Sequence, residues 1–195
     1  MDVSMPITTV VPSLDGPVLV ALAATTAPAS LAEVHRRAGR GSKSGVRDVL
    51  LRMVEDGIVH DVPGGYVLNR EHLAATAVTA LADLHGELAR RIRATVEDWG
   101  GEVLLVGLFG SAARRDGDHA SDIDLLVVSD ADTRDDLIDR LVDRVRAWTG
   151  NRAQVIGLSS TELHRLRHAG EAIVARWDGE LVVICGDRRA LGRAA

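Results

Sequence analysis

The sequence has few aromatic residues, which make up 3% of the chain. Its hydrophobic core must therefore be built from Leu, Val, Ile and Ala. The scarcity also argues against a platform on which the bases of single-stranded nucleic acid stack. The chain has a single cysteine, Cys185. One thiol excludes an intrachain disulfide framework and any metal site that needs several cysteines.

Long apolar runs are also missing, since none approaches the length of a transmembrane helix. The N-terminus lacks the charged and then apolar pattern of a signal peptide. We therefore expect a cytoplasmic protein with no membrane partner. The 46% hydrophobic content is typical of a globular chain, and 195 residues suffice for one large domain or two small ones.

The net charge of −5 is spread unevenly along the chain. Acidic and basic residues balance over residues 1–70, so the negative excess lies in residues 71–195. The balanced part nevertheless contains a basic cluster, formed by Arg36, Arg37, Arg40, Lys43, Arg47 and Arg52. This asymmetry makes the N-terminal part the more favourable face for nucleic acid.

The most informative stretch is residues 104–128, in which two apolar runs flank a polar link. The second run begins with Asp122 and Asp124, separated by Ile123. Alternate side chains of a strand point to the same face, so the two carboxylates are predicted to stand side by side. Carboxylates held together repel each other unless a cation lies between them, and hard oxygen ligands suit Mg²⁺. The spacing therefore predicts a magnesium site.

The first apolar run ends at Gly110 and Ser111, which we predict to form a turn from a strand into a helix. Glycine lets the backbone approach a ligand closely, and free N–H groups at a helix start favour a phosphate. Arg114 follows, and its guanidinium fork matches phosphate oxygens. A phosphate cradle beside a metal-binding carboxylate pair is what phosphoryl or nucleotidyl transfer needs.

These residues are similar to the signature of the DNA polymerase β-like nucleotidyltransferase superfamily, in its small bacterial branch. That signature joins a hydrophobic-Gly-Ser element to an Asp-hydrophobic-Asp element through a spacer. The matching positions are Phe109, Gly110, Ser111, Ala113, Arg114, Ser121, Asp122, Ile123, Asp124 and Leu125. The resemblance covers residues 100–186 and implies a small mixed sheet with helices and the transfer of a nucleoside monophosphate from a nucleoside triphosphate.

The resemblance also implies a role for each site residue. Asp122 and Asp124 would be the catalytic metal ligands, with two Mg²⁺ ions present when the triphosphate is bound. Gly110, Ser111, Arg114 and Ser121 would bind the nucleotide. Small proteins of this branch resemble the nucleotidyltransferase members of toxin–antitoxin pairs, which implies a protein partner or acceptor.

The superfamily has a third carboxylate on the strand after the next helix. Here a helix is predicted over residues 133–148 and a strand over 152–158, and Gln154 occupies about the position of that acid. An amide binds a metal more weakly than a carboxylate and cannot act as a general base. Glu162 is the nearest acid, but with Ser159 it forms the pattern of a capping box. Catalytic activity is therefore left open, whereas the fold is not affected.

The N-terminal part reads as three helices, at residues 16–25, 31–38 and 45–56, followed by a hairpin around Pro63-Gly64-Gly65. This order resembles a winged helix-turn-helix domain. The resemblance implies that the third helix enters the major groove of DNA. The residues then exposed to DNA would be Lys43, Ser44, Arg47 and Arg52. Use of the same domain for dimerisation or for packing on the catalytic domain remains an alternative.

We therefore predict an α+β or α/β chain in three parts: a winged helix-turn-helix domain (1–70), a linking helix (71–99) and a nucleotidyltransferase domain with a small mixed sheet (100–195). One apolar stripe of the linking helix is open either to a second copy of the chain or to the catalytic domain. The predicted function is Mg²⁺-dependent transfer of a nucleoside monophosphate to a hydroxyl of a protein, an RNA or a small molecule. The alternative is a DNA-binding transcription regulator whose nucleotidyltransferase-like domain senses a nucleotide or has lost activity.

Overall fold

The computed structural model describes residues 1–192, and the chain divides into two compact units. One unit is Met5–Glu87, and the other joins Met1–Ser4 to the chain from Leu88 onward. Residues 193–195 of the predicted 100–195 domain lie outside the described part of the chain.

The Met5–Glu87 unit consists of helices and one antiparallel hairpin. Its elements are a 3-10 helix (Pro6–Thr9), α1 (Asp15–Ala23), α2 (Leu31–Ala38), α3 (Lys43–Glu55), β1 (Val59–Val62), β2 (Gly65–Leu68) and α4 (Ala75–Ala82). Val62 pairs with Gly65 at the turn of the hairpin, and Ala29 forms an isolated bridge with Tyr66. The unit's assignment as a winged helix-turn-helix domain stays a prediction.

Capping residues fix the helix starts of this unit. Ser30 accepts a hydrogen bond from the Glu33 N–H, and the Glu33 side chain accepts one from the Ser30 N–H, so the predicted capping box is confirmed. Ser42 caps α3 by accepting from the Gly45 N–H. Because Ser42 is the cap, α3 begins at Lys43, two residues before the predicted start.

The structure has two helices where the sequence predicted one over residues 71–99. Helix α4 ends at Ala82, and α5 (Leu84–Trp99) begins two residues later. Asp83 between them adopts a non-helical backbone, and its carboxylate lies against Gly86. Aspartate is favoured at helix starts, where its oxygens accept from free N–H groups, and this favours a new helix at that point.

The second unit contains a four-stranded mixed sheet in the order β5-β4-β3-β6. Its strands are β3 (Leu105–Phe109), β4 (Ile123–Val128), β5 (Ala153–Leu158) and β6 (Val182–Gly186). Strand β3 is antiparallel to β4 and β6, whereas β4 and β5 are parallel. The unit also contains α5 from Leu88 onward, α6 (Gly110–Arg114), α7 (Arg134–Thr149), α8 (Ser160–His168), α9 (Ala172–Glu180) and a 3-10 helix (Arg188–Leu191). The predicted mixed sheet, helix 133–148 and strand 152–158 are confirmed to within one residue.

The sheet carries a hydrophobic core on each face. Alternate residues of β4 serve the two cores, with Ile123, Leu125 and Val127 on one side and Leu126 and Val128 on the other. The first side packs with residues of α5 and α7, and the second with residues of α8 and α9. Asp124 has the parity of Leu126, so it lies on the face that packs with α8 and α9.

Within residues 1–192, every helix is too short or too polar to cross a membrane.

The central position of β4 generates a stability prediction. Val127 is fully buried, whereas Val182 on the edge strand β6 is 47% exposed. Val127→Ala should lower the free energy of unfolding by about 2 kcal/mol, through lost apolar burial and the cavity left behind. The matched Val182→Ala change should cost less than about 0.5 kcal/mol. Equal losses in chemical denaturation would contradict this placement of the core.

Candidate functional site

The turn from β3 into α6 lies directly against the carboxylate of Asp124. Phe109, the last residue of β3, pairs with Asp124 across the antiparallel ladder. Gly110 follows with φ of +65°, and a Cβ on it would collide with Asp124 Oδ2. Glycine is needed here for two reasons, because the backbone is left-handed and because the carboxylate occupies the space of a side chain. The predicted turn and one predicted metal ligand therefore meet.

Asp122 and Asp124 lie at the start of β4 with the buried Ile123 between them. Burial raises the pKa of Asp124, and the neighbouring negative charges of Asp122 and Glu180 raise it further. The positive charges of Arg176 and Arg114 act in the opposite direction. The site thus holds negative charge in partly desolvated surroundings, which a cation would relieve.

Glu180, the last residue of α9, reaches the same turn. Its Oε1 accepts a hydrogen bond from the Gly110 N–H at 3.1 Å, and its Oε2 accepts one from Arg114 Nη1 at 2.7 Å. The Arg114 contact is the main reason that the pKa of Glu180 is lowered. Arg114 also donates from Nε to Asp116 at 2.9 Å. The donors predicted to hold phosphate therefore already hold an anionic oxygen.

Ser111 and Ser121 border one segment of the loop between α6 and β4. A Cβ on Gly117 would lie 2.9 Å from Ser111 Oγ and 2.7 Å from Ser121 Oγ. Ser121 Oγ also accepts from the Asp118 N–H at 2.9 Å and donates to Asp118 Oδ1 at 3.0 Å. The Ser121 hydroxyl is thus engaged within the loop, whereas Ser111 lies at the start of α6 beside Gly110.

Gln154 pairs in register with Asp124 across the parallel strands β4 and β5. Residues in register point to the same face of a sheet, so the Gln154 amide is the neighbour of Asp124 on that strand. Within residues 1–192, no cluster of three or more His, Cys, Asp or Glu side chains is arranged to hold a metal ion. Asp122 and Asp124 could hold Mg²⁺ only with water or substrate oxygens completing its shell.

Two residues at the site, Arg176 and Glu180, were missed from the sequence. They lie one turn apart on α9, with Arg176 Nη2 at 3.6 Å from Glu180 Oε1. Their i, i+4 spacing signals an ion pair on a helix, but not which surface the helix faces. The signature stretch alone could not have found them, because they lie far along the chain.

The residues predicted to face DNA lie in the other unit. Lys43, Ser44 and Arg47 are exposed on α3. Arg52 forms an ion pair with Asp15, so its guanidinium is already engaged. Arg52 therefore differs from the other three predicted DNA contacts, because its guanidinium is paired with Asp15.

The contact between Gly110 and Asp124 can be tested by a pair of glycine substitutions. Gly150 also has a positive φ, of +74°, but a Cβ there meets nothing within 4 Å. Gly150→Ala should cost about 1–2 kcal/mol for the left-handed backbone alone. Gly110→Ala should cost about 2 kcal/mol more, because the new methyl group collides with a carboxylate. Equal free energies of unfolding for the two variants would exclude the contact.

Comparison with known proteins finds one family match and several similar solved structures. The family model of the nucleotidyltransferase domain matches residues 89–167. Among curated proteins, none matches the chain. Among solved structures, the chain is similar to a toxin–antitoxin complex with AMP-PNP, at 17% identity and a TM-score of 0.40 over 52% of this chain and 75% of the other. It is also similar to a structure of tri-AMPylated Shewanella oneidensis HEPN toxin with MNT antitoxin, at 15% identity and a TM-score of 0.37 over 54% and 75% of the two chains. Residues 89–167 of the chain thus match the nucleotidyltransferase domain family.

Proposed function

We propose that the protein is a Mg²⁺-dependent nucleotidyltransferase that moves a nucleoside monophosphate from a nucleoside triphosphate to a hydroxyl acceptor. One observation carries the proposal: the Asp124 carboxylate lies directly against the Gly110 turn. This contact supports the proposal because it brings the predicted metal ligand Asp124 next to the turn predicted to bind the nucleotide. The match of residues 89–167 to the nucleotidyltransferase domain supports the same reaction class.

Asp122 and Asp124 are the metal ligands in this proposal. The fit rests on geometry, since the two aspartates flank the buried Ile123 and the Asp124 carboxylate lies against the Gly110 turn. Burial and the neighbouring acids raise the pKa of Asp124, which agrees with a carboxylate that a cation would stabilise. A bound Mg²⁺ would supply charge neutralisation of the phosphates and of the attacking and leaving oxygens. With the amide of Gln154 beside Asp124, the protein contributes one carboxylate from β4 and one from Asp122 just before it, and leaves the remaining metal positions to water and substrate.

The triphosphate is held by the Gly110 N–H, Ser111 and the Arg114 guanidinium. The acceptor hydroxyl oxygen forms a bond to the α-phosphorus, and the bond from that phosphorus to the bridging oxygen of the β-phosphate breaks. Pyrophosphate leaves, and the hydroxyl proton passes to a base other than Gln154, because an amide cannot take it. The acceptor is a hydroxyl of a protein, an RNA or a small molecule, and a toxin–antitoxin partner protein fits this reaction.

The reaction is tested by transfer of label from α-³²P-labelled nucleoside triphosphates, with Mg²⁺ and cell extract supplying acceptors. Asp122→Asn and Asp124→Asn should each reduce transfer by about 100-fold or more, because each removes a charged metal ligand worth several kcal/mol in the transition state. Asp132→Asn is the matched control, since Asp132 is exposed after the far end of β4 and should leave the rate unchanged. Transfer that persists in both motif variants would remove these aspartates from the mechanism.

A second candidate function is DNA binding through the Met5–Glu87 unit. The observation that favours it is the exposed face of α3, which carries Lys43, Ser44 and Arg47 while Val46 and Leu50 are buried. A helix of this kind after a short turn is suited to the major groove. In that case the nucleotidyltransferase domain would sense a nucleotide rather than transfer one.

The DNA hypothesis predicts a gel shift on the DNA upstream of the protein's own coding sequence at low salt. The double variant Lys43→Ala, Arg47→Ala should weaken binding about five- to tenfold and flatten its salt dependence, because phosphate contacts are lost. Arg52→Ala should have little effect on affinity, since Asp15 already engages that guanidinium. Absence of any shift at low salt would overturn this second function.

A further inference from the structure

Three donor groups converge on the Glu180 carboxylate at the Gly110 turn. The Gly110 N–H lies 3.1 Å from Oε1 and Arg114 Nη1 lies 2.7 Å from Oε2. Arg176 Nη2 lies 3.6 Å from Oε1. The Glu180 side chain is only 19% exposed, so its carboxylate fills the space between these groups rather than extending into solvent.

A backbone N–H and two guanidinium groups are suited to phosphate oxygens as well as to a carboxylate. We propose that Glu180 occupies the position of the substrate triphosphate, so that a nucleotide binds only when this side chain moves away. Arg176 then joins Arg114 as a second guanidinium on the phosphates. This inference rests on the proposed function and adds two residues that lie beyond the matched segment of residues 89–167.

The displacement involves the side chain of Glu180 rather than the whole of α9. Arg167 holds Asp178 through two hydrogen bonds of 2.9 and 2.8 Å. Trp177 is fully buried and packs edge-on against Phe109, with ring centroids 6.0 Å apart. These contacts fix the C-terminal turn of the helix, so rotation of the Glu180 side chain is the smaller movement that frees the three donors.

The contact weakens nucleotide binding without preventing it. Arg114 is 43% exposed, and an ion pair open to solvent contributes far less than a buried one. A triphosphate brings more negative charge to the same donors than one carboxylate does. Glu180 therefore sets a threshold concentration of nucleotide below which the site remains occupied by the protein's own side chain.

Calorimetric titration of the full chain with inorganic tripolyphosphate, without divalent cations, tests the competition directly. Glu180→Gln should bind about three- to tenfold more tightly than the wild type, because a charge-assisted contact no longer competes. Glu180→Asp keeps the charge but is one methylene too short to reach both donors, and it should also bind more tightly. Glu171→Gln is the control, since Glu171 lies at the opposite end of α9 and makes no capping hydrogen bond.

Any result other than tighter binding in both Glu180 variants overturns the inference. Equal affinity in the wild type and both Glu180 variants would show that Glu180 does not compete, while leaving the proposed function intact. A gain in Glu180→Gln alone would assign the effect to net charge rather than to occupancy. Weaker tripolyphosphate binding in both Glu180 variants would show that Glu180 supports the site rather than competing for it. Absence of binding in every variant would overturn the inference and the proposed nucleotide site together.

Arg176 is tested in the same titration. Arg176→Ala should weaken tripolyphosphate binding about three- to tenfold, because one guanidinium contact to phosphate is lost. The same loss should appear in the Glu180→Gln background, since Arg176 acts on the ligand and not only through Glu180. A loss confined to the wild-type background would contradict a direct role for Arg176.

Discussion

The site depends on the space that Gly110 leaves open for the carboxylate of Asp124. Any other residue at that position would place a Cβ against Oδ2 and would strain a backbone with φ of +65°. The antiparallel pairing of Phe109 with Asp124 then fixes where the turn and the strand meet. Because β3 and β4 are the two central strands of the sheet, their pairing fixes the distance between the backbones of the turn and of Asp124. The conformation of the Asp124 side chain then brings Oδ2 against Gly110.

Acidic and basic side chains surround the contact between Gly110 and Asp124. Asp124 has a raised pKa because burial and neighbouring acids disfavour its charged form. Arg114 and Arg176 supply positive charge, and Glu180 takes up the hydrogen-bonding capacity of the Gly110 N–H and of Arg114. The carboxylates of Asp122 and Asp124 would be stabilised by a cation. The Gly110 N–H and Arg114 beside them would bind a more highly charged anion than Glu180. In the proposed function, a metal-bound triphosphate supplies both the cation and the anion.

Local sequence patterns predicted the features that depend on residues close together in the chain. The capping box of Ser30 and Glu33 could be predicted from spacing, because helix caps follow short-range rules. The position of Gln154 was expected only from the family resemblance, and its pairing with Asp124 joins two strands that are separated in the chain by α7. Glu180 could not be found in this way, since its partner Gly110 lies 70 residues earlier and no periodic pattern links them. The break at Asp83 was also missed, because the apolar spacing continues through it. Long-range packing decided these features.

The most direct test of the central claim is a crystal structure of the protein with Mg²⁺ and a non-hydrolysable nucleoside triphosphate. We expect metal density between Asp122 and Asp124, phosphate oxygens on the Gly110 N–H and Arg114, and the Glu180 side chain displaced from both. A nucleotide bound elsewhere, or bound with no metal at the two aspartates, would contradict it.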